Sequence, residues 1–145
     1  KIHIIADYQQ FDEFIRLASA ASSIINRVEL LKSAIDLYNG KILSSAEGEH
    51  WLIQFATKYH IAYISAVNEL LKQLASLHSY DLLNQYAMRS LTIAPENTKG
   101  YYWLIRSLKA QGMDELASNE YRLAKQKLTD NEYLDLLDLL ANNQE

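Results

Sequence analysis

Between Ile64 and Thr129 the chain carries two back-to-back copies of one unit, with Pro95 and Thr129 standing 34 residues apart. A unit of that period is a pair of helices that cannot bury its apolar face alone and must stack on its neighbours. The first copy, Ile64 to Asn97, reads ISAVNELLKQLASLHSYDLLNQYAMRSLTIAPEN; the second, Thr98 to Asn131, reads TKGYYWLIRSLKAQGMDELASNEYRLAKQKLTDN. In this register Leu70 matches Leu104, Leu71 matches Ile105 and Leu74 matches Leu108. His78 falls on Gly112, where the chain must turn between the two helices of a unit. The second copy is the better match, through Gly112, Ala117, Tyr121 and Ala124. The first keeps Tyr80 and Pro95 but carries Leu83 and Ala87 where such a unit prefers small and aromatic residues.

The rest of the chain reads as what completes that core. Its 145 residues, 49% hydrophobic and 22% charged, suit one soluble domain that buries a core without disulfides or metals. There is no cysteine, which excludes thiol chemistry and Cys-based zinc sites. One Pro and four Gly leave room for long helices. No apolar run approaches membrane-spanning length and no signal-peptide pattern opens the chain, so a cytoplasmic protein with no membrane contact is expected. A net charge of −4 argues against a nucleic-acid surface spread over these residues. The first residue, Lys1, points to a fragment or processed chain.

Lys1 to Ala6 (KIHIIA) is short, apolar and rich in isoleucine, and reads as one strand that has lost its partners. Asp7 and Gln10 stand at N-cap and N3 spacing for a helix carrying Phe11, Phe14, Ile15 and Ala18 on one stripe. A second helix is expected from about Asn26 to Tyr38, buried through Val28, Leu31, Ile35 and Tyr38 and widened by Leu30 and Leu37. Asn39-Gly40 is expected to stop it in the left-handed conformation, with a connector from Lys41 to Gly48 pinned by Ile42 and Leu43. From Glu49 to Leu77 an uninterrupted three-or-four spacing (Leu52, Phe55, Tyr59, Tyr63, Ala66, Leu70, Leu74, Leu77) predicts one long helix. Helices over Ser79–Ala94, Thr98–Gln111 and Asp114–Leu128 complete the repeats. Thr129-Asp-Asn-Glu132 has the pattern of a capping box opening a last helix over 130–142. Tyr133, Leu136, Leu137 and Leu140 form its apolar face, and Asp130, Glu132, Asp135 and Asp138 the solvated face of a cap.

The order of these parts carries a resemblance. An amphipathic helix, the turn Leu37-Tyr-Asn-Gly-Lys-Ile-Leu43, an acidic loop with Trp51 opening a long helix, then two repeats of tetratricopeptide type, is similar to the bacterial transcriptional activator domain. That domain is found in regulators of the Streptomyces antibiotic regulatory protein type. The resemblance spans roughly Asp7 to Leu140. It implies an all-α, tetratricopeptide-like stack of about seven helices over 7–145, with repeats at 64–97 and 98–131. It also implies a winged helix-turn-helix DNA-binding domain immediately upstream, of which residues 1–6 are the last strand or linker. The family's helical domain serves self-association, interdomain regulation or partner binding rather than catalysis.

In the repeat register the exposed face of each first helix is Asn68, Lys72 and Ser76 in one copy and Lys99, Tyr102, Arg106 and Lys109 in the other. One reading is a cationic groove for an acidic or C-terminal peptide, with Tyr102 as a flat contact; the other is a solvated face of long cations. Trp51 is either a partner anchor or a pin holding its loop on the core. Of the consecutive Tyr101, Tyr102 and Trp103, at least one should face outward. His3, His50, His60 and His78 lack metal-ligand spacing. There is no Gly-rich phosphate loop and no nucleophile elbow. No catalytic residue, metal or cofactor is therefore assigned.

The expected function is a regulatory and oligomerisation domain of a bacterial DNA-binding regulator. Its partners are its own upstream DNA-binding domain, a second copy in a homodimer, or a peptide or protein, and it reaches DNA only through the domain outside these residues. Two alternatives stay open. One is a free-standing repeat scaffold binding a peptide with no link to DNA; the other is a coiled-coil dimer built on Glu49 to Leu77.

Overall fold

Helix-forming residues with few breakers make helices nearly throughout. In the computed structural model, which describes the backbone of residues 2–46 and 53–142 and the side chains of 5–44 and 56–142, these are α1 (Ile2–Ala20), α2 (Ile24–Leu37), a π turn (Tyr38–Ile42), α3 (Leu43–Ala46), α4 (Ile53–Ser76), α5 (Tyr80–Ile93), α6 (Thr98–Ala110), α7 (Asp114–Lys127) and α8 (Asp130–Asn142). With α2, the π turn and α3 taken as one continuous rod, the described residues form seven helical rods and no strand. The all-α stack of helical hairpins is thus the architecture found. The chain divides into two compact units, Lys1–Leu70 and Leu71–Glu145.

In the second unit the repeat is written into the backbone. Ser79 N–H donates to the Leu74 carbonyl at 2.9 Å and His78 N–H to that of Ala75 at 3.0 Å. Each has its twin one period later: Met113 to Leu108 at 2.8 Å and Gly112 to Lys109 at 3.0 Å. Each pair is a Schellman closure, which needs a left-handed residue between the helices. His78 (φ 55°) and Gly112 (φ 75°) supply it, as the repeat register requires. Leu71, Leu74, Leu104, Ile105 and Leu108 are all buried.

The departures of the first copy are absorbed by an exchange of bulk. Leu83 and Ala87 are both fully buried, a large residue followed by a small one. The second copy places buried Ala117 and half-buried Tyr121 at the same two positions, small then large. Helices α5 and α6 are also joined by a polar network that the apolar spacing does not reveal. Ser107 Oγ donates to Asn84 Oδ1 at 2.7 Å, Asn84 Nδ2 to Gln111 Oε1 at 2.7 Å, and Gln111 Nε2 to Asp81 Oδ1 at 3.2 Å. Gly100 lets the two helices approach: a Cβ there would lie 2.9 Å from Leu91 Cδ2.

Helix α8 starts where the capping box places it. Thr129 N–H donates to Glu132 Oε1 at 2.9 Å, and Glu132 N–H returns a bond to Thr129 Oγ1 at 3.2 Å. It packs on α6 through buried Leu136 and Leu140.

The first unit is held by rings. Tyr8 stacks on Tyr59 (centroids 4.2 Å apart) and Tyr38 on Tyr63 (4.4 Å), and Phe11 stands 5.9 Å from both Tyr38 and Tyr59. All five are buried. Tyr59 Oη donates to Asp12 Oδ2 at 2.5 Å, tying α4 to α1. Burial pushes the Tyr38 phenol up to about 12 and also raises those of Tyr8 and, with help from Asp12, Tyr59. Arg27 reaches from α2 to the carbonyls of Ala18 (3.3 Å) and Ala21 (2.9 Å), closing the C-terminus of α1.

Three local expectations are corrected in this unit. The strand over Lys1 to Ala6 is not found: residues 2–6 are the opening turns of α1. Isoleucine's strand preference is a weak bias that a continuing helix overrides. Asp7 consequently lies inside α1 and caps nothing. Asn39-Gly40 does not stop the second helix, and Gly40 is not left-handed. Instead Leu43 N–H reaches back to the Tyr38 carbonyl, a π turn that keeps the rod continuous and leaves Tyr38 and Ile42 both buried. The Asn39 amide is buried at this turn with no hydrogen-bond partner among the described residues.

The long stripe of α4 is used within the chain. Tyr59, Tyr63, Ala66, Leu70 and Leu74 are all buried, so this face is not free to form a coiled coil with another chain.

Candidate interaction surface

Four of the proposed contact residues share α6, where Lys99, Tyr102, Arg106 and Lys109 recur at three-or-four spacing and so fall on one face. Lys99 is exposed in the first turn. Tyr102 is not the flat exposed contact expected from the sequence: it is 7% exposed, because its ring is the surface on which Arg106 rests. The guanidinium of Arg106 lies 5.4 Å from the ring centroids of both Tyr102 and Trp103, and its Nη1 donates to Tyr102 Oη at 2.8 Å. Tyr102 and Trp103 meet edge to face at 4.9 Å. Of the three consecutive aromatics, Tyr101 and Tyr102 are buried and Trp103 is the one partly exposed.

Lys109 has a similar arrangement one turn on. Its ammonium lies 5.2 Å from the Tyr121 ring centroid and donates to Tyr121 Oη at 3.1 Å. Both cations lose freedom to the rings beside them, so they present positive groups in set positions. A fixed guanidinium beside a half-buried indole is suited to a carboxylate carried on an apolar segment. The sequence register found Arg106 and Lys109. It missed Trp103 and Tyr121 as their supports, since only the fold shows which ring stands three residues or twelve away.

The other proposed residues are not gathered with these. Lys72 is exposed on the last part of α4. Asn68 belongs to the first unit and is half-buried. Trp51 lies outside the described residues. Among the described residues no group of three or more His, Asp or Glu is placed to hold a metal ion, and no helix is long and apolar enough to cross a membrane.

A family model described as the bacterial transcriptional activator domain matches residues 6–135. The chain belongs to that family. It is a family of transcription-regulator domains rather than of enzymes. No curated protein and no solved structure matches the chain. Membership agrees with the helical-hairpin stack, and the match spans both the ring-held first unit and the repeats of the second.

Proposed function

We propose that this chain is the non-catalytic regulatory and oligomerisation domain of a bacterial DNA-binding transcriptional regulator. It acts in the cytoplasm with a winged helix-turn-helix domain that precedes Lys1 in the full protein. The observation that carries this is the family match over residues 6–135. The reading is supported by the helical hairpins and by the α6 cations lying against aromatic rings. In this reading the domain contacts partners while the upstream domain contacts DNA, and association sets how two DNA-binding modules meet their half-sites. A free-standing scaffold that captures an acidic peptide on Lys99, Arg106 and Lys109 remains the second reading. The Arg106–Tyr102–Trp103 cluster favours peptide capture within either.

The test is DNA binding by the full gene product with and without residues 1–145. The intact product should bind paired half-sites cooperatively, and the deleted form should bind single half-sites independently. Identical cooperativity for both forms would contradict the proposal.

A further inference from the structure

Helix α7 carries a second stripe, apart from its buried Ala117 and Ala124. At about 100° per residue, Leu116, Glu120, Leu123 and Lys127 line up along one flank of the helix. Glu120, Leu123 and Lys127 border a groove of about 360 Å³ whose other residues include Met88 and Leu91 of α5 and Tyr101 and Leu104 of α6. The apolar groups of the groove are open to solvent, Met88 being 57% exposed and Leu123 43%, and Leu116, further along the stripe, is 50% exposed. Glu120 is half-buried and Lys127 exposed, and neither has a hydrogen bond or ion pair among the described residues. Seven residues of helix separate them by roughly 10 Å, too far for the two to pair with each other. Burial raises the Glu120 carboxyl, as expected for an acid in partly apolar surroundings with no cation beside it.

We infer that a second copy of this chain docks on this stripe, α7 antiparallel to α7, with each Glu120 against the other copy's Lys127 and the two Leu123 side chains at the centre. The stripe is self-complementary in the way a two-fold interface requires. A two-fold axis between positions 123 and 124 carries 120 onto 127, so a single rotation forms both ion pairs and brings the leucines together. The like charges nearby are out of the way. Arg122 and Lys125 lie roughly 100° and 160° around the helix from Leu123, and Arg122 is bonded to Asn119. The contact is of modest size, since 14 residues of helix span only about 21 Å, which suits a dissociation constant on the order of micromolar or weaker. This inference rests on the proposal that the chain is an association module and assigns that role a surface distinct from the α6 cations.

Sedimentation equilibrium of the chain from about 1 μM to about 1 mM tests it across that affinity range. The wild type should form a reversible dimer. Leu123→Asp, at an exposed position, should be monomeric with unchanged helicity. Glu120→Lys and Lys127→Glu each place like charges together twice, and each should weaken the dimer at least about tenfold. The double reversal Glu120→Lys/Lys127→Glu should restore the affinity to within about threefold of wild type. A dimer untouched by Leu123→Asp, or a double reversal that restores nothing, overturns this surface while leaving self-association to another one. A wild type that stays monomeric throughout overturns both this surface and the self-association part of the proposed function.

Discussion

Between Leu71 and Glu145 the same closures occur twice, one period apart, whereas the unit from Lys1 to Leu70 is organised around one cluster of five rings. The difference lies in where the specificity resides. In the repeating unit each turn is fixed by local backbone bonding and a left-handed residue, so a change of side chain is tolerated if bulk is conserved. Leu83 with Ala87, against Ala117 with Tyr121, is that tolerance in practice. In the ring-held unit one residue touches several others, and no twin exists to share the load.

The largest effect should come from the ring cluster. Phe11 is fully buried between Tyr38 and Tyr59, and Phe11→Ala should cost about 3–5 kcal/mol by cavity formation and lost burial. Thermal melting followed in the near ultraviolet, where the tyrosines report, measures this. A loss below about 1 kcal/mol would break the contrast drawn between the units.

Leu83→Ala should be the next largest, about 2–5 kcal/mol. Adding Ala87→Tyr recreates the bulk order of the second copy and should recover part of the loss. Urea denaturation of the single and double variants decides it, and no recovery would show that the two repeats do not share one packing rule.

Alkaline pH should separate the units further. Tyr8, Tyr38 and Tyr59 have phenols raised above their ordinary 10 chiefly by burial; in the second unit Tyr101 is raised for the same reason, with Glu120 and Glu96 adding to it. An acid raised in the fold gives stability that is fully present below its unfolded value and lost above it. Stability should therefore hold up to about pH 10 and then fall, through about 12 for Tyr38. Tyr38→Phe should make that fall shallower in melts taken across this range.

The smallest effects lie at the two turns, and they should have opposite signs. His78 pays for its left-handed backbone at φ 55° and Gly112 does not at φ 75°. His78→Gly should stabilise by up to about 1 kcal/mol, reduced by the freedom glycine adds to the unfolded chain. Gly112→Ala should destabilise by about 1 kcal/mol, since nothing crowds its Cβ and only the backbone objects. Chemical denaturation of both variants compares them directly.

The same contrast explains what could be read from the sequence. A period is a long-range signal carried by many residues, so the helices from Tyr80 onward, the His78–Gly112 match and the Thr129–Glu132 box were legible. The first unit has no period. Its π turn depends on the packing of Tyr38 and Ile42, and Tyr59–Asp12 joins residues far apart in the chain; neither follows from local preference. Residues 2–6 show that preference failing where a longer helix takes the segment over. On α6 the spacing located the cations but misjudged Tyr102, because a tyrosine beneath an arginine and one facing solvent occupy the same repeat position. The α7 stripe was hidden for another reason: its leucines are visible in sequence, but only burial shows which ones the fold leaves uncovered.

The most direct test of the proposed role is the coding sequence and intact mass of the native gene product, read upstream of Lys1. The account predicts a preceding basic segment of domain size, roughly 100 residues, whose product binds DNA. A native product with no DNA-binding segment ahead of these residues would contradict it, and peptide capture by the scaffold would stand in its place.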